Sequence, residues 1–193
     1  MERIAYIIPG FGHSPLRQRG YKAIGGFFER QGITPRYVLI DWHRKTPRTF
    51  TDFVRQFLKH HDGRKRQETY VLGFSYGATI AFLSATKIKP KALILCSLSP
   101  YFEEDMKNLK PSWIRWWRKH FKDSDYSFAA MAPRIRVKTY VVYGSKEHFS
   151  VAVRAKDARA RIPRSSLRVS RGAEHKIHRR EYLRTLERLI KTL

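Results

Sequence analysis

Six short runs rich in β-branched and aromatic residues alternate along this chain with segments whose apolar residues recur at helical spacing, and that alternation limits the fold more than any other feature. The runs fall at Arg3 to Ile8, Arg36 to Ile40, Thr69 to Leu72, Ala92 to Cys96, Thr139 to Tyr143 and Leu167 to Ser170. Near-continuous apolar character is what a strand covered on both faces requires. Strand and helix in strict succession predict a single α/β domain over residues 1–193, in three layers: a mostly parallel sheet of about six strands between helices, joined by right-handed crossovers.

The helical segments carry their own punctuation. Ser14 and Pro15 supply an N-cap and a first-turn proline for a helix through Tyr21, Ile24, Phe27 and Phe28 that Gly32 can end. Phe50, Phe53, Val54, Phe57 and Leu58 form a second apolar face ending near Gly63, and Ser150 is placed to cap a helix through Val153 and Ala160. Tyr182, Leu183, Leu186, Leu189, Ile190 and Leu193 make a closing amphipathic helix.

The rhythm breaks once, between Tyr101 and Arg136. There Lys110 to Lys122 holds three of the four tryptophans, and on a helix Trp113, Ile114, Trp117 and Phe121 share a face, with Arg115, Arg118, Lys119 and Lys122 spread over the other side. The reading taken first is a lid-like insertion over residues 101–136 that covers a site with Trp113, Trp117 and Phe121. A membrane-surface or partner-binding helix and plain core packing stand beside it.

In a parallel sheet, ligands bind at the carboxyl ends of the strands, so the residues just after each run matter most. Gly73-Phe74-Ser75-Tyr76-Gly77 lies between the third run and the next helix. A serine there occupies a tight turn, glycines on either side let strand and helix approach, and a helix N-terminus points at the hydroxyl. The first run is followed by Pro9-Gly10-Phe11-Gly12-His13, the fifth by Gly144-Ser145-Lys146-Glu147-His148, and the sixth by Gly172-Ala173-Glu174-His175. A serine nucleophile needs a base, a group that orients the base, and donors for a developing oxyanion, and these loops contain them all.

With these residues in this order, the chain resembles the α/β-hydrolase superfamily over nearly its whole length, as a small member without the first antiparallel hairpin and with strand order 2-1-3-4-5-6. The resemblance implies Ser75 as nucleophile, His175 as general base, Glu147 as the carboxylate that orients it, and the Phe11 and Tyr76 amides as oxyanion donors. It departs from the family at Pro9, where many members have histidine, and at Glu147, where aspartate is more frequent. Glu103, Glu104 and Asp105 occupy a region from which some relatives supply the acid and stay as alternatives, as do His178, His148 and His13 for the base. Asp41 reads as a structural loop carboxylate.

The chain has 40 Lys plus Arg against 16 Asp plus Glu, a net charge of +24 that is heavier after Met106 than before it. Such a field attracts nucleic acid, anionic lipid and acidic substrates alike. No basic cluster matches a groove-reading motif, and Arg64-Lys65-Arg66 reads as a solvated turn. Adjacent His60 and His61 point to different faces of a helix, and no cysteine stands at zinc-ligand spacing from them, so no metal site is expected. Gly10 and Gly12 lack the downstream glycine-lysine pair of a phosphate loop, and no cofactor is implied. Cys96 alone in an apolar run reads as a small buried hydrophobe, and the first apolar run as a strand instead of a signal peptide. Without an apolar run near the roughly 20 residues that span a bilayer, a cytoplasmic protein is expected.

Two functions follow as expectations. One is a cofactor-independent serine hydrolase acting on a carboxylic ester, thioester or related acyl bond of a small-molecule substrate. The other is a catalytically silent protein on the same fold that binds nucleic acid or an anionic membrane through its basic surface. A hybrid would dock Trp113, Trp116 and Trp117 on a membrane.

Overall fold

The computed structural model describes residues 1–12, 14–43, 49–61, 67–121 and 126–193. Gly63, Arg64 to Arg66, His13 and Lys122 therefore lie outside the described residues. Six strands, β1 (Glu2–Ile8), β2 (Thr34–Tyr37), β3 (Gln67–Phe74), β4 (Ala92–Cys96), β5 (Lys138–Gly144) and β6 (Ser165–Ser170), form one sheet in the order β2-β1-β3-β4-β5-β6. Every neighbouring pair is parallel, with Tyr6 beside Val71, Val71 beside Leu93, and Leu95 beside Val141.

Because side chains alternate along a strand, each central strand feeds two cores. Ile4, Tyr6, Ile8, Val71, Leu93 and Val141 face one layer, made by helices α2 (Phe50–His60), α3 (Tyr76–Ile88) and α6 (Phe149–Arg161). Ala5, Ile7, Tyr70, Leu72, Ile94 and Val142 face the other, made by α1 (Pro15–Glu29) and α7 (Arg180–Ile190). The three-layer parallel architecture is as the alternation predicts, and the strand order is the one the family resemblance implies. Cys96 is fully buried.

Local differences have physical causes. The second strand ends at Tyr37 instead of running to Ile40: Val38 N–H still bonds Ile7 O at 3.0 Å, but the next rung would need an N–H from Pro9, which has none. Val38 and Ile40 remain buried and Leu39 points outward, so the alternation outlasts the ladder. The cap of α6 is His148, not Ser150, for the imidazole Nδ1 accepts the Ser150 N–H. Ser14 and Pro15 do begin α1, and Gly32 follows its end at φ +67°, a conformation that suits glycine.

Between β4 and β5 the chain forms a 3₁₀ turn over Glu103–Asn108, helix α4 (Pro111–His120), the short α5 (Phe128–Met131) and a second 3₁₀ turn over Ala132–Arg134. Its base is fastened twice. Glu104 accepts hydrogen bonds from Ser127 Oγ (2.7 Å), Phe128 N–H (3.0 Å) and Ala129 N–H (2.9 Å), capping α5. Burial alone would raise that carboxyl's pKa, but these bonds outweigh it and hold the group at about 2. Asp105 receives the buried Arg154 guanidinium of α6 at 2.6 to 3.0 Å, and the same guanidinium lies 4.1 Å from the centre of the Phe128 ring. Among the described residues no helix is long and apolar enough to cross a membrane.

Candidate active site

Ser75 opens α3 with φ 57° and ψ −122°, a backbone conformation that L-residues rarely adopt. The strain is held by its surroundings. Its N–H bonds Cys96 O at 2.8 Å, and its carbonyl accepts from Ala78 at 2.9 Å. A side chain at Gly73 would collide with the Gly77 carbonyl, and one at Gly77 with the Ile8 and Pro9 carbonyls. The two glycines thus let β3, α3 and the end of β1 converge, and the hydroxyl is left facing a cleft.

The strand-end loops bring three predicted residues into one line. His175 Nε2 is 3.0 Å from Ser75 Oγ, and His175 Nδ1 is 2.6 Å from Glu147 Oε2. Nδ1–H directed at the carboxylate leaves the Nε2 lone pair facing the serine. Phe74 lies against the imidazole at 4.8 Å. Glu147 itself is buried, a costly place for a carboxylate without partners. Its Oε1 accepts from Gly144 N–H at 2.6 Å and from Ser97 Oγ at 2.7 Å. Ser97 also has positive φ, 48°, and its hydroxyl meets Tyr182 OH at 2.7 Å. Burial raises the Tyr182 pKa well above the ordinary tyrosine value, which keeps the phenol protonated.

The first loop is fixed from both sides. Gly10 N–H donates to Tyr21 OH at 2.9 Å, and Arg17 donates to Phe11 O at 2.6 Å. A Cβ on Gly10 would come 3.1 Å from Phe74 and Ser75 atoms, so this loop runs close to the serine. Tyr76 is the first residue of α3, where an N–H has no acceptor within the helix. Among the described residues, neither the Phe11 nor the Tyr76 amide has a hydrogen-bond partner.

A cavity of 360 Å³ opens beside Ser75, walled by Phe11, Phe74, Tyr76, Tyr101, Trp113 and Val151, with Arg17, Ser99, His148 and Ser150 as its polar points. Ser99 Oγ stands 3.4 Å from Ser75 Oγ. Trp113 is in this wall, whereas Trp117 and Phe121 are buried behind it: Trp117 stacks on Tyr101 at 4.2 Å, and Phe121 meets Tyr76 at 5.3 Å.

Of the alternatives, His13 lies outside the described residues and Glu103 is exposed; the others are engaged elsewhere. Glu104 caps α5 and Asp105 pairs with Arg154, as described above. His148 Nδ1 bonds Ser150 Oγ at 2.8 Å, and His178 packs against Gly20 of α1, where burial lowers its pKa. Asp41 accepts from His43 N–H at 3.0 Å, within its own loop. Tyr21, Arg17, Ser97, Ser99 and Tyr182 are site-shaping residues that the strand-end motifs did not reveal. A sequence signal existed for two of them, since Ser97-Leu98-Ser99-Pro100 follows β4 directly.

No family model matches the sequence, and no curated protein matches it. Solved structures do. An α/β-hydrolase enzyme, MGS-MChE2, from the metagenome of lagoon sediments at Mar Chica, Morocco, superposes with a TM-score of 0.76 at 15% identity, covering 100% of this chain and 92% of that one. Est1E from Butyrivibrio proteoclasticus with ferulic acid bound gives 0.73 at 16% identity, over 98% and 87%. The thioesterase domain from the curacin biosynthetic pathway gives 0.71 at 16%, over 98% and 91%. The chain has the α/β-hydrolase fold.

Proposed function

We propose that this protein is a serine hydrolase that cleaves an ester or thioester through an acyl-enzyme. The observation that carries the reading is the unbroken line from Ser75 through His175 to Glu147, at 3.0 and 2.6 Å, on a fold shared with esterases and a thioesterase. Ser75 Oγ attacks the acyl carbonyl as its proton passes to His175 Nε2. Glu147 stabilises the imidazolium through Nδ1–H, while the Phe11 and Tyr76 amides receive the oxyanion. The imidazolium then protonates the leaving oxygen or sulfur. Water, deprotonated by His175, attacks the acyl-serine and frees the acid.

Residues 101–136 act in this reading as the lid-like insertion of a single domain. Trp113 contacts the substrate, and Trp117 and Phe121 support Tyr101 and Tyr76 from behind. The catalytically silent alternative has the net charge behind it, but nothing in the Ser75 site favours the loss of catalysis. The test is labelling with a fluorophosphonate and turnover of short-chain aryl esters and acyl thioesters. A single adduct on Ser75 and turnover that disappears in Ser75→Ala are expected; turnover retained in that variant overturns the reading.

A further inference from the structure

Four large apolar side chains project into solvent beside the cleft: Trp113, Trp116, Phe149 and Val153, between 37% and 58% exposed. They are continuous. Trp113 and Trp116 are one turn apart on α4, the His148 ring lies 4.8 Å from Trp113 and 4.6 Å from Phe149, and Val153 follows Phe149 by one turn of α6. Scattered exposed hydrophobes need no explanation, but a joined row at the mouth of a pocket marks a surface that meets another phase or molecule.

The charge around the row points to what covers it. Helix α4 carries Arg115, Arg118 and Lys119, all exposed, and no carboxylate. Between residues 107 and 156 the sequence has acidic side chains only at 123, 125 and 147, and Glu147 is buried against His175. Tryptophan with neighbouring arginine and lysine is the pairing that suits the headgroup layer of an anionic bilayer, with phenylalanine and valine reaching the acyl boundary. Single-stranded nucleic acid fits less well. It needs open ring faces along a positively charged groove, whereas Trp116 is already stacked on His120 at 4.4 Å and Val153 offers no ring.

We propose that the ridge Trp113-Trp116-Phe149-Val153 docks this protein on an anionic lipid surface, with the Ser75 cleft opening beside the contact. The docking does not depend on hydrolysis, so it stands or falls separately from the reading of Ser75. The cleft then takes its acyl substrate from the lipid phase.

Flotation of the full chain with vesicles of phosphatidylcholine, or of phosphatidylcholine with about one-third phosphatidylglycerol, tests this directly. The wild type and Ser75→Ala should float equally with the anionic vesicles, with tryptophan emission shifted to the blue and quenched by lipid brominated near the headgroup. The triple variant Trp116→Ser, Phe149→Ser, Val153→Ser, checked for folding by circular dichroism, should partition about tenfold or more weakly. Replacing Arg134, Arg136 and Arg164 with glutamine, at the opposite end of the sheet, should leave partitioning within about twofold. The proposal is overturned by absence of flotation. Flotation without quenching that ignores the triple variant also overturns it, being mere adhesion of a +24 chain. So does tighter capture by single-stranded RNA through the same tryptophans, or self-association that buries them without lipid. Fluorophosphonate labelling of Ser75 on the same samples reports the hydrolase reading independently.

Discussion

At the carboxyl end of the sheet, β3 and β4 are each followed at once by a serine with positive φ, Ser75 and Ser97, and β5 finishes in a glycine whose Cβ would strike the Ala173 carbonyl. The amino end of β4 and β5 is different: Lys89, Lys91, Arg134, Arg136, Lys138 and Arg164 line a groove of 800 Å³, larger in volume than the cleft beside Ser75. Charge there is abundant and weakly organised. Lys91 reaches Glu68 at 2.8 Å and Lys138 lies over Tyr140 at 5.2 Å. Lys89 ends α3 in the left-handed region, where a cation also complements the helix's free carbonyls. At the carboxyl end one buried carboxylate has three hydrogen-bond donors around it, and the imidazole is aimed by them. Chemistry of the proposed kind needs charge held in position more than charge in quantity.

The comparison is broken most severely by removing the line itself. Ser75→Ala or His175→Ala should lower kcat/KM by about 10⁵-fold or more, measured on an aryl ester, with the melting temperature nearly unchanged. Glu147→Gln keeps the shape but loses the anion that faces the imidazolium, and a drop of about 10³ to 10⁴ in kcat is expected. Ser97→Ala removes one of the two donors to Glu147 Oε1. A loss of about tenfold, in kcat and not in KM, would mark it as a positioning residue. Glu104→Gln touches stability instead, lowering it by about 1 kcal/mol through the cap of α5.

The sign of that last effect with pH is definite. Glu104 has a folded pKa of about 2 against an ordinary 4.5, so its contribution is complete above 4.5 and is lost as pH falls toward 2. The wild type should therefore lose stability across that window more steeply than Glu104→Gln, as read by urea melts at successive pH values. The smallest effect belongs to the amino end, where neutralising Arg134, Arg136 and Arg164 should change kcat/KM by less than about twofold. A larger change would mean that the groove and the cleft are coupled.

Much of this architecture was legible because buried parallel strands announce themselves as apolar runs, and their order placed the Ser75, Glu147 and His175 loops at one edge. The end of β2 was not, since it depends on a missing N–H in a neighbouring strand, at Pro9. Glu104 and Asp105 looked available from their position after β4, but Ser127, Phe128, Ala129 and Arg154 engage them from 23 to 49 residues away, which no local pattern reports. The helical wheel of α4 grouped Trp113 with Trp117 and Phe121. Tertiary packing separates them, because Tyr101 and Tyr76 stand between the latter two and the cavity. Ser97 and Tyr182 meet Glu147 only through the fold.

The buried guanidinium of Arg154 has a mechanical meaning for the segment between β4 and β5. Swinging that whole segment away from the sheet would pull Arg154 from Asp105 and from the Phe128 ring, leaving the guanidinium with Asp157 of its own helix, 2.8 Å away, as its partner. The segment is thus held at both ends of its base, by Asp105 and by the Glu104 cap of α5, and between them Trp117 and Phe121 fix α4 to the core.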